Sequence, residues 1–236
     1  MIEKVRKGIR NPNDALAYIL KKTIPASVLE STQGTHSSWK KEENFYTFEE
    51  GGFAGGTKNR PEFCARNFYE VSQLQELLRE NNVSPTQSAE IGSGYGRLSP
   101  WIAQFSSNHY GIEPNKEAID KAMELYPNIQ WKNKRIQDMR PELYDFDLIV
   151  TWTVLQHIPP SSIQNAVEKI IELSAEQSFI VICEETEGDA GSHTWPRNIN
   201  KYNELFEEQE LVQTRTRNLE PSYESHAGEI LLFKNT

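Results

Sequence analysis

The chain has 236 residues, 37% of them apolar and 25% charged, which is enough for one substantial core and too few for two full domains. Its net charge of −9 and pI near 5.2 argue against a broad phosphate-binding surface, because nucleic-acid affinity rests on clustered Lys and Arg. No apolar window reaches membrane-spanning length, the first residues carry dispersed charges, and Cys64 and Cys183 show no metal-ligand spacing. These features predict a cytoplasmic protein with packed, reduced thiols, no metal site and a small-molecule partner. Nothing in the pattern sets an oligomeric state.

In chain order, residues 1–80 read as an N-terminal extension and residues 81–236 as the main domain. Asp14 to Lys22 has helical spacing through Leu16, Ile19 and Leu20, and Thr32 to Lys40 is polar. Phe45, Tyr46 and Phe48 then lead into a glycine-rich stretch, Glu49 to Gly56, with Phe53 at its centre. That stretch is either a flexible connector or a lid over a ligand cleft. From Asn67 to Asn81 an amphipathic helix is predicted, with Phe68, Val71, Leu74, Leu77 and Leu78 on one face and Pro85 stopping its continuation.

The stretch Ala89-Glu90-Ile91-Gly92-Ser93-Gly94-Tyr95-Gly96-Arg97 ends a short apolar run on an acid and then places glycine at every second position. Glycine there lets the backbone turn sharply out of a strand and approach a ligand closely. Arg97 to Phe105 reads as the following helix, with Leu98, Trp101, Ile102 and Phe105 on one side. A second short strand, His109 to Ile112, ends in Glu113, about 20 residues beyond the first glycine, where an acid accepts from ribose hydroxyls in doubly wound folds. A dinucleotide fingerprint would put its third glycine where Arg97 stands, and Glu90 would repel a pyrophosphate while suiting a ligand with an amino group and a sulfonium. These residues resemble the first motif of the class I S-adenosylmethionine-dependent methyltransferases, a resemblance that covers about residues 86–185. It implies S-adenosylmethionine as cofactor, held by Glu90, Gly92, Ser93, Gly94, Arg97, Glu113 and Pro114.

Pro114 breaks the strand and Asn115 is placed to cap a helix through Ala118, Ile119, Ala122 and Leu125. Ile129 to Lys132 is a third strand. The resemblance lays the adenine-gripping loop on Arg135 to Met139, with Arg135 where many members have an acid. The backbone N–H of Ile136 remains as an adenine contact, and Asp138 as an alternative acid. Asp145 to Thr151 has the unbroken apolar run of a strand buried on both faces. It continues into Trp152-Thr153-Val154-Leu155-Gln156-His157-Ile158-Pro159, which resembles the fourth motif of the same family. Thr151 and Trp152 would line the cleft beyond the carboxyl ends of the strands. His157 either packs this loop or moves a proton.

Ile163 to Leu173 reads as a helix, and Ser178 to Cys183 as a fifth strand that ends in Glu184 and Glu185. Those acids either meet a substrate amine or are solvated loop charges. Gly191 to Asn198 then gathers His193, Trp195 and Arg197. This is either an acceptor site, with Arg197 clamping a phosphate or carboxylate and Trp195 as an apolar wall, or a turn opening a helix at Asn198 to Glu207. The catalytic candidates are His157, His193 and Glu184, and the substrate-binding candidates are Trp195, Arg197 and Glu185. Glu210 to Arg217 and Glu229 to Lys234 close the chain as a hairpin joined by the turn-rich 218–228.

The predicted fold is α/β, a doubly wound seven-stranded sheet, mostly parallel with the last strand antiparallel, helices on both faces and an N-terminal helical or loop extension. The predicted activity is S-adenosylmethionine-dependent methylation of a hydroxyl or amine on a small acceptor, such as a sugar or sugar nucleotide. Three other readings are weighed against it. A nucleotide-dependent oxidoreductase is disfavoured by Arg97 and Glu90. A methyltransferase-like protein that binds without turnover, and an RNA methyltransferase with a basic surface around Lys132, Lys134 and Arg135, are the alternatives.

Overall fold

In the computed structural model, residues 60–188, 190, 194–217 and 228–236 are described, with side chains from residue 67 onward. The expected helix at 14–22, the connector or lid at 49–56, His193 and the turn at 218–227 lie outside the described residues.

Period-2 apolar patterning in the strands and period-3.6 patterning in the helices build two cores on a single sheet. The strands are β1 (Gln87–Ile91), β2 (Asn108–Ile112), β3 (Gln130–Lys132), β4 (Phe146–Trp152), β5 (Ser174–Glu185), β6 (Glu210–Thr216) and β7 (Gly228–Lys234). Their order is β3-β2-β1-β4-β5-β7-β6. The first five are parallel, and β7 lies between β5 and β6, antiparallel to both. The seven-stranded sheet with its antiparallel last strand is therefore present as expected.

On one face, Ala89, Ile91, Ile149, Ile180, Ile182, Leu231 and Phe233 pack against α4 (Ile163–Glu172) and α5 (Ile199–Leu205). On the other, Leu148, Val150, Trp152, Val181, Cys183, Ile230 and Leu232 pack against α1 (Arg60–Glu80) and α2 (Ser99–Ile102). Asn115 caps α3 (Lys116–Leu125) by accepting from Ala118 N at 3.2 Å, and Asn198 caps α5 by accepting from Lys201 N at 2.9 Å. Each cap satisfies a backbone donor that the helix itself cannot.

Two helix faces differ from the expectation. Phe68 is 70% exposed while Glu70 is fully buried, so the stripe of α1 that meets the sheet runs through Glu70, Val71, Leu74, Leu77 and Leu78. Glu70 is tolerated there because two arginines pair with it. The helix after the glycine loop is a single turn begun at Ser99 with Pro100, not a run from Arg97 to Phe105. One turn cannot present a continuous stripe, and Trp101 is 45% exposed while Leu98 and Ile102 are buried.

β1 has β2 on one side and β4 on the other, so the connections leaving its neighbourhood diverge. In open α/β sheets a crevice forms beyond the carboxyl ends of the strands at such a switch point. The residues that follow β1, β2, β4 and β5 are therefore gathered at one edge.

Candidate active site

The loop after β1 is held by its neighbour strand. Gly92 N and Ser93 N donate to Ile112 O at 2.8 and 3.2 Å, and Gly96 N donates to Ser93 O at 2.9 Å. Gly92, Gly94 and Gly96 have φ of 70°, 56° and 78°, the left-handed region that side chains with a Cβ rarely adopt. Space is short as well. A Cβ on Gly92 would lie 2.4 Å from Val154 Cγ2, and one on Gly96 2.6 Å from Trp131 Cη2. The glycines thus join the loop to the segment after β4 on one side and to β3 on the other.

Two acids flank the loop. Glu113, just past β2, accepts from Gly94 N at 3.0 Å through Oε2 and from Asn115 N at 2.7 Å through Oε1. Burial, only partly offset by those two donors, pushes its carboxyl up to about 7. Asn133 fixes the turn beneath it by donating to Glu113 O and Pro114 O, both at 3.0 Å. Glu90 is buried, accepts from the Ser99 hydroxyl, and is likewise raised to about 7 by burial. Arg97 closes the loop and pairs with Glu70 of α1 at 2.5 Å.

The segment after β4 is organised by Glu184. This carboxylate, at the end of β5, is 1% exposed and accepts from Val154 N at 3.1 Å, Leu155 N at 3.0 Å, Gln156 N at 3.0 Å and the Thr151 hydroxyl at 3.2 Å. Burial raises it to about 7 despite those donors. Gln156 ties the same segment to two others: its Oε1 accepts from Glu185 N and its backbone O from Trp195 N, both at 2.7 Å. Arg197 completes the frame. Its Nη1 donates to Leu155 O at 2.8 Å and Trp195 O at 3.1 Å, and its Nη2 to Ile158 O at 2.5 Å. Thr153, between Trp152 and Val154, has φ of 57°, a strained conformation for a β-branched residue and one that surrounding contacts must impose.

The structure brings Glu90, Gly92, Ser93, Gly94, Arg97, Glu113, Thr151 and Trp152 to the carboxyl edge of β1, β2 and β4, with Pro114 at the turn after β2. Ser93 Oγ and Trp152 Nε1 are buried there without a hydrogen-bond partner among the described residues. Ile136 is buried in a short 3₁₀ turn and packs into the core beside α4. Asp138, the alternative adenine acid, pairs with Arg135 at 2.8 Å on the surface. Among the acceptor-site candidates, Glu184 and Arg197 are engaged with the chain itself, as described. Trp195, Glu185 and His157 are half-buried, and the Glu185 carboxylate makes no hydrogen bond or ion pair with the described residues. The sequence reading missed Gln156, Asn133 and Glu70. Of these, Glu70 had a signal, a glutamate on an otherwise apolar stripe.

Residues 89–176 match a family model described as "Methyltransferase domain". That segment holds the glycine loop, Glu113 and the segment after β4, and the fold around it is the class I S-adenosylmethionine-dependent methyltransferase fold. Among solved structures, the chain is similar to N-methyltransferase NodS from Bradyrhizobium japonicum in complex with S-adenosyl-L-homocysteine. The TM-score is 0.68 at 17% identity, over 86% of this chain and 99% of that one. A S-adenosylmethionine-dependent methyltransferase from Leishmania major gives 0.72 at 14% identity, over 92% and 89%. Magnesium protoporphyrin IX methyltransferase from Synechocystis with bound S-adenosylmethionine gives 0.60 at 12%, over 90% and 98%. No curated protein matches the chain in sequence. No described helix is long and apolar enough to cross a membrane.

Proposed function

We propose that the chain binds S-adenosylmethionine at the carboxyl edge of β1 and β2 and transfers its methyl group to an amine, or secondarily a hydroxyl, of a small acceptor. The observation that carries the cofactor half is the glycine loop with Glu113 beside it. Three left-handed glycines keep Cβ atoms out of the approach, and the buried Ser93 hydroxyl has no hydrogen-bond partner among the described residues. A carboxylate oxygen has two acceptor sites, so each Glu113 oxygen can accept a ribose hydroxyl beside the backbone N–H it already holds. Residues and ligand fit.

In this reading Glu113 takes the ribose, Arg97 faces the methionine carboxylate, the Ile136 backbone meets the adenine, and Thr151 and Trp152 line the methyl end. Glu90 stays buried behind the loop, holding Ser99 and favouring a cationic ligand in front of it. Bound there, S-adenosylmethionine supplies a sulfonium methyl that a nucleophile displaces in line. The protein's part is to hold the acceptor at near-attack distance, exclude water and accept one proton.

The acceptor half rests on what is already spent. Arg197 is committed to three carbonyls and Glu184 to four donors, so neither is turned towards an acceptor. Both are framework residues for the segment after β4. Glu185, His157 and Trp195 stand half-buried at that edge, the His157 ring 3.5 Å from the Gln156 amide. A carboxylate, an imidazole and an indole suit an ammonium-bearing acceptor, with His157 to receive the proton as the amine becomes nucleophilic. The resemblance to a protein named as an N-methyltransferase supports the same preference.

The test is S-adenosylhomocysteine formation across a panel of matched amines, alcohols, carboxylates and phosphates. Amines should turn over fastest, and Glu185→Gln should lower kcat/KM for them while leaving cofactor affinity within twofold of wild type, about 0.4 kcal/mol. Preferred turnover of phosphorylated or carboxylated acceptors would sink the acceptor assignment.

A further inference from the structure

Two buried charged side chains, Glu70 and Arg217, meet a partly buried third, Arg97, on the α1 face of the sheet. Glu70 is fully enclosed. Its Oε2 pairs with Arg97 Nη1 at 2.5 Å, and its Oε1 accepts from Arg217 Nε at 3.1 Å and from Arg217 Nη2. Asn67, one turn earlier on α1, accepts from the same Arg97 Nη1 at 3.1 Å.

Two cations therefore share one anion, and no second carboxylate among the described residues stands at ion-pair distance from either arginine. A surplus buried charge is expensive, and one arginine would suffice to tie α1 to the sheet. The fold nevertheless makes room for the second. Gly228 opens β7 beside it, where a Cβ would lie 3.2 Å from Arg217 Cδ and 2.9 Å from Glu184 O. Two other acids act on the arginines through space: Glu90, hydrogen-bonded to Ser99, on Arg97, and Glu184, whose carboxylate is turned to the segment after β4, on Arg217. The remaining N–H groups of Arg97 make no hydrogen bond with the described residues.

We infer that Arg217 is a positioning residue for the carboxylate end of the cofactor, acting through Glu70 and Arg97 without touching the ligand. By occupying one oxygen of Glu70 with two donors, Arg217 prevents that carboxylate from neutralising Arg97 completely. The outer edge of the Arg97 guanidinium is then left to meet the methionine carboxylate. Removing Arg217 converts the triad into a neutral, closed Glu70–Arg97 pair, which attracts an anion less. The inference rests on the S-adenosylmethionine reading above, and its consequence is a ligand discrimination set by a residue outside the site.

The experiment compares S-adenosylmethionine with its decarboxylated analogue, which keeps the sulfonium and nucleoside but lacks the carboxylate. Binding of both is titrated on wild type, Arg217→Met and Arg217→Lys, with thermal melts to establish folding. Wild type should prefer the carboxylated ligand. Arg217→Met should lose about tenfold of that preference, the scale of one partly screened charge interaction, with affinity for the decarboxylated ligand unchanged. Arg217→Lys keeps the charge and should keep most of the preference, which preserves the test if the Met variant does not fold. Equal weakening of both ligands in either variant would make the triad a purely structural tie and overturn the inference. Absence of S-adenosylmethionine binding by wild type would instead overturn the cofactor reading on which it rests.

Discussion

Replacing Glu113 with Gln removes one charge and leaves the shape of the loop, so its effect can be worked from the geometry. The carboxylate holds Gly94 N at 3.0 Å with one oxygen and Asn115 N at 2.7 Å with the other. An amide has one acceptor oxygen, so its NH₂ must face one of those N–H groups, and the ribose loses a charged acceptor. Lost charge-assisted hydrogen bonds of this kind cost about 1–3 kcal/mol, or about 5- to 150-fold in Kd. The pH dependence separates ribose contact from loop damage. Burial raises the Glu113 carboxyl to about 7, and hydroxyl donors favour its ionised form. At pH 6 only about a tenth of the protein would be ionised there, so wild-type affinity should be about tenfold weaker at pH 6 than at pH 8. Calorimetric titration with S-adenosylmethionine at pH 6, 7 and 8 reads both effects, and Glu113→Gln should bind weakly with a flat profile. A Gln variant that binds like wild type would refute the ribose assignment. A wild-type affinity that does not change with pH would refute the electrostatic part of the reasoning.

Gly94→Val puts a β-branched residue at φ 56° in the loop and should abolish detectable cofactor binding, while the strain lowers stability by about 1–2 kcal/mol. Arg197→Leu strands the carbonyls of Leu155, Ile158 and Trp195, and should cost about 3 kcal/mol, roughly 6–12 °C in Tm for a chain of this length. A melt unchanged by that substitution would show that Arg197 is not holding the segment. Glu184, raised to about 7 from an ordinary 4.5, keeps its proton in the folded state over a range where the unfolded chain has lost it. Its contribution to stability therefore falls as pH rises from about 4.5 to about 7, and chemical denaturation of Glu184→Gln should lack that part of the slope. Trp195→Ala should leave cofactor affinity within about twofold and depress turnover; parallel loss of binding would put Trp195 in the cofactor site.

The fold was legible wherever one rule governed a whole element. β4 and β5 are centred on unbroken apolar runs, Leu148 to Val150 and Phe179 to Cys183, and a strand reads that way only when both faces are covered, as both are here. The glycine loop was legible because spacing at 92, 94 and 96 is a backbone requirement independent of packing, and all three φ values are positive. The acceptor side was not, since Glu184, Gln156 and Arg197 satisfy backbone groups distant in sequence. Arg197 reaches Leu155 O across 42 positions, and no local pattern announces which carbonyls a guanidinium will meet. Phe68 and Glu70 exchanged expected places for the same reason. An apolar stripe read on one helix cannot anticipate that Arg97 and Arg217 arrive to neutralise a glutamate within it.

The most direct measurement is titration of the purified protein with S-adenosylmethionine, S-adenosylhomocysteine and NAD in parallel. Micromolar binding of the two sulfur nucleosides with no heat from NAD is the predicted result, and it would establish the glycine loop and Glu113 as the cofactor site. Binding of NAD in their place, or silence from all three, would contradict the account at its centre.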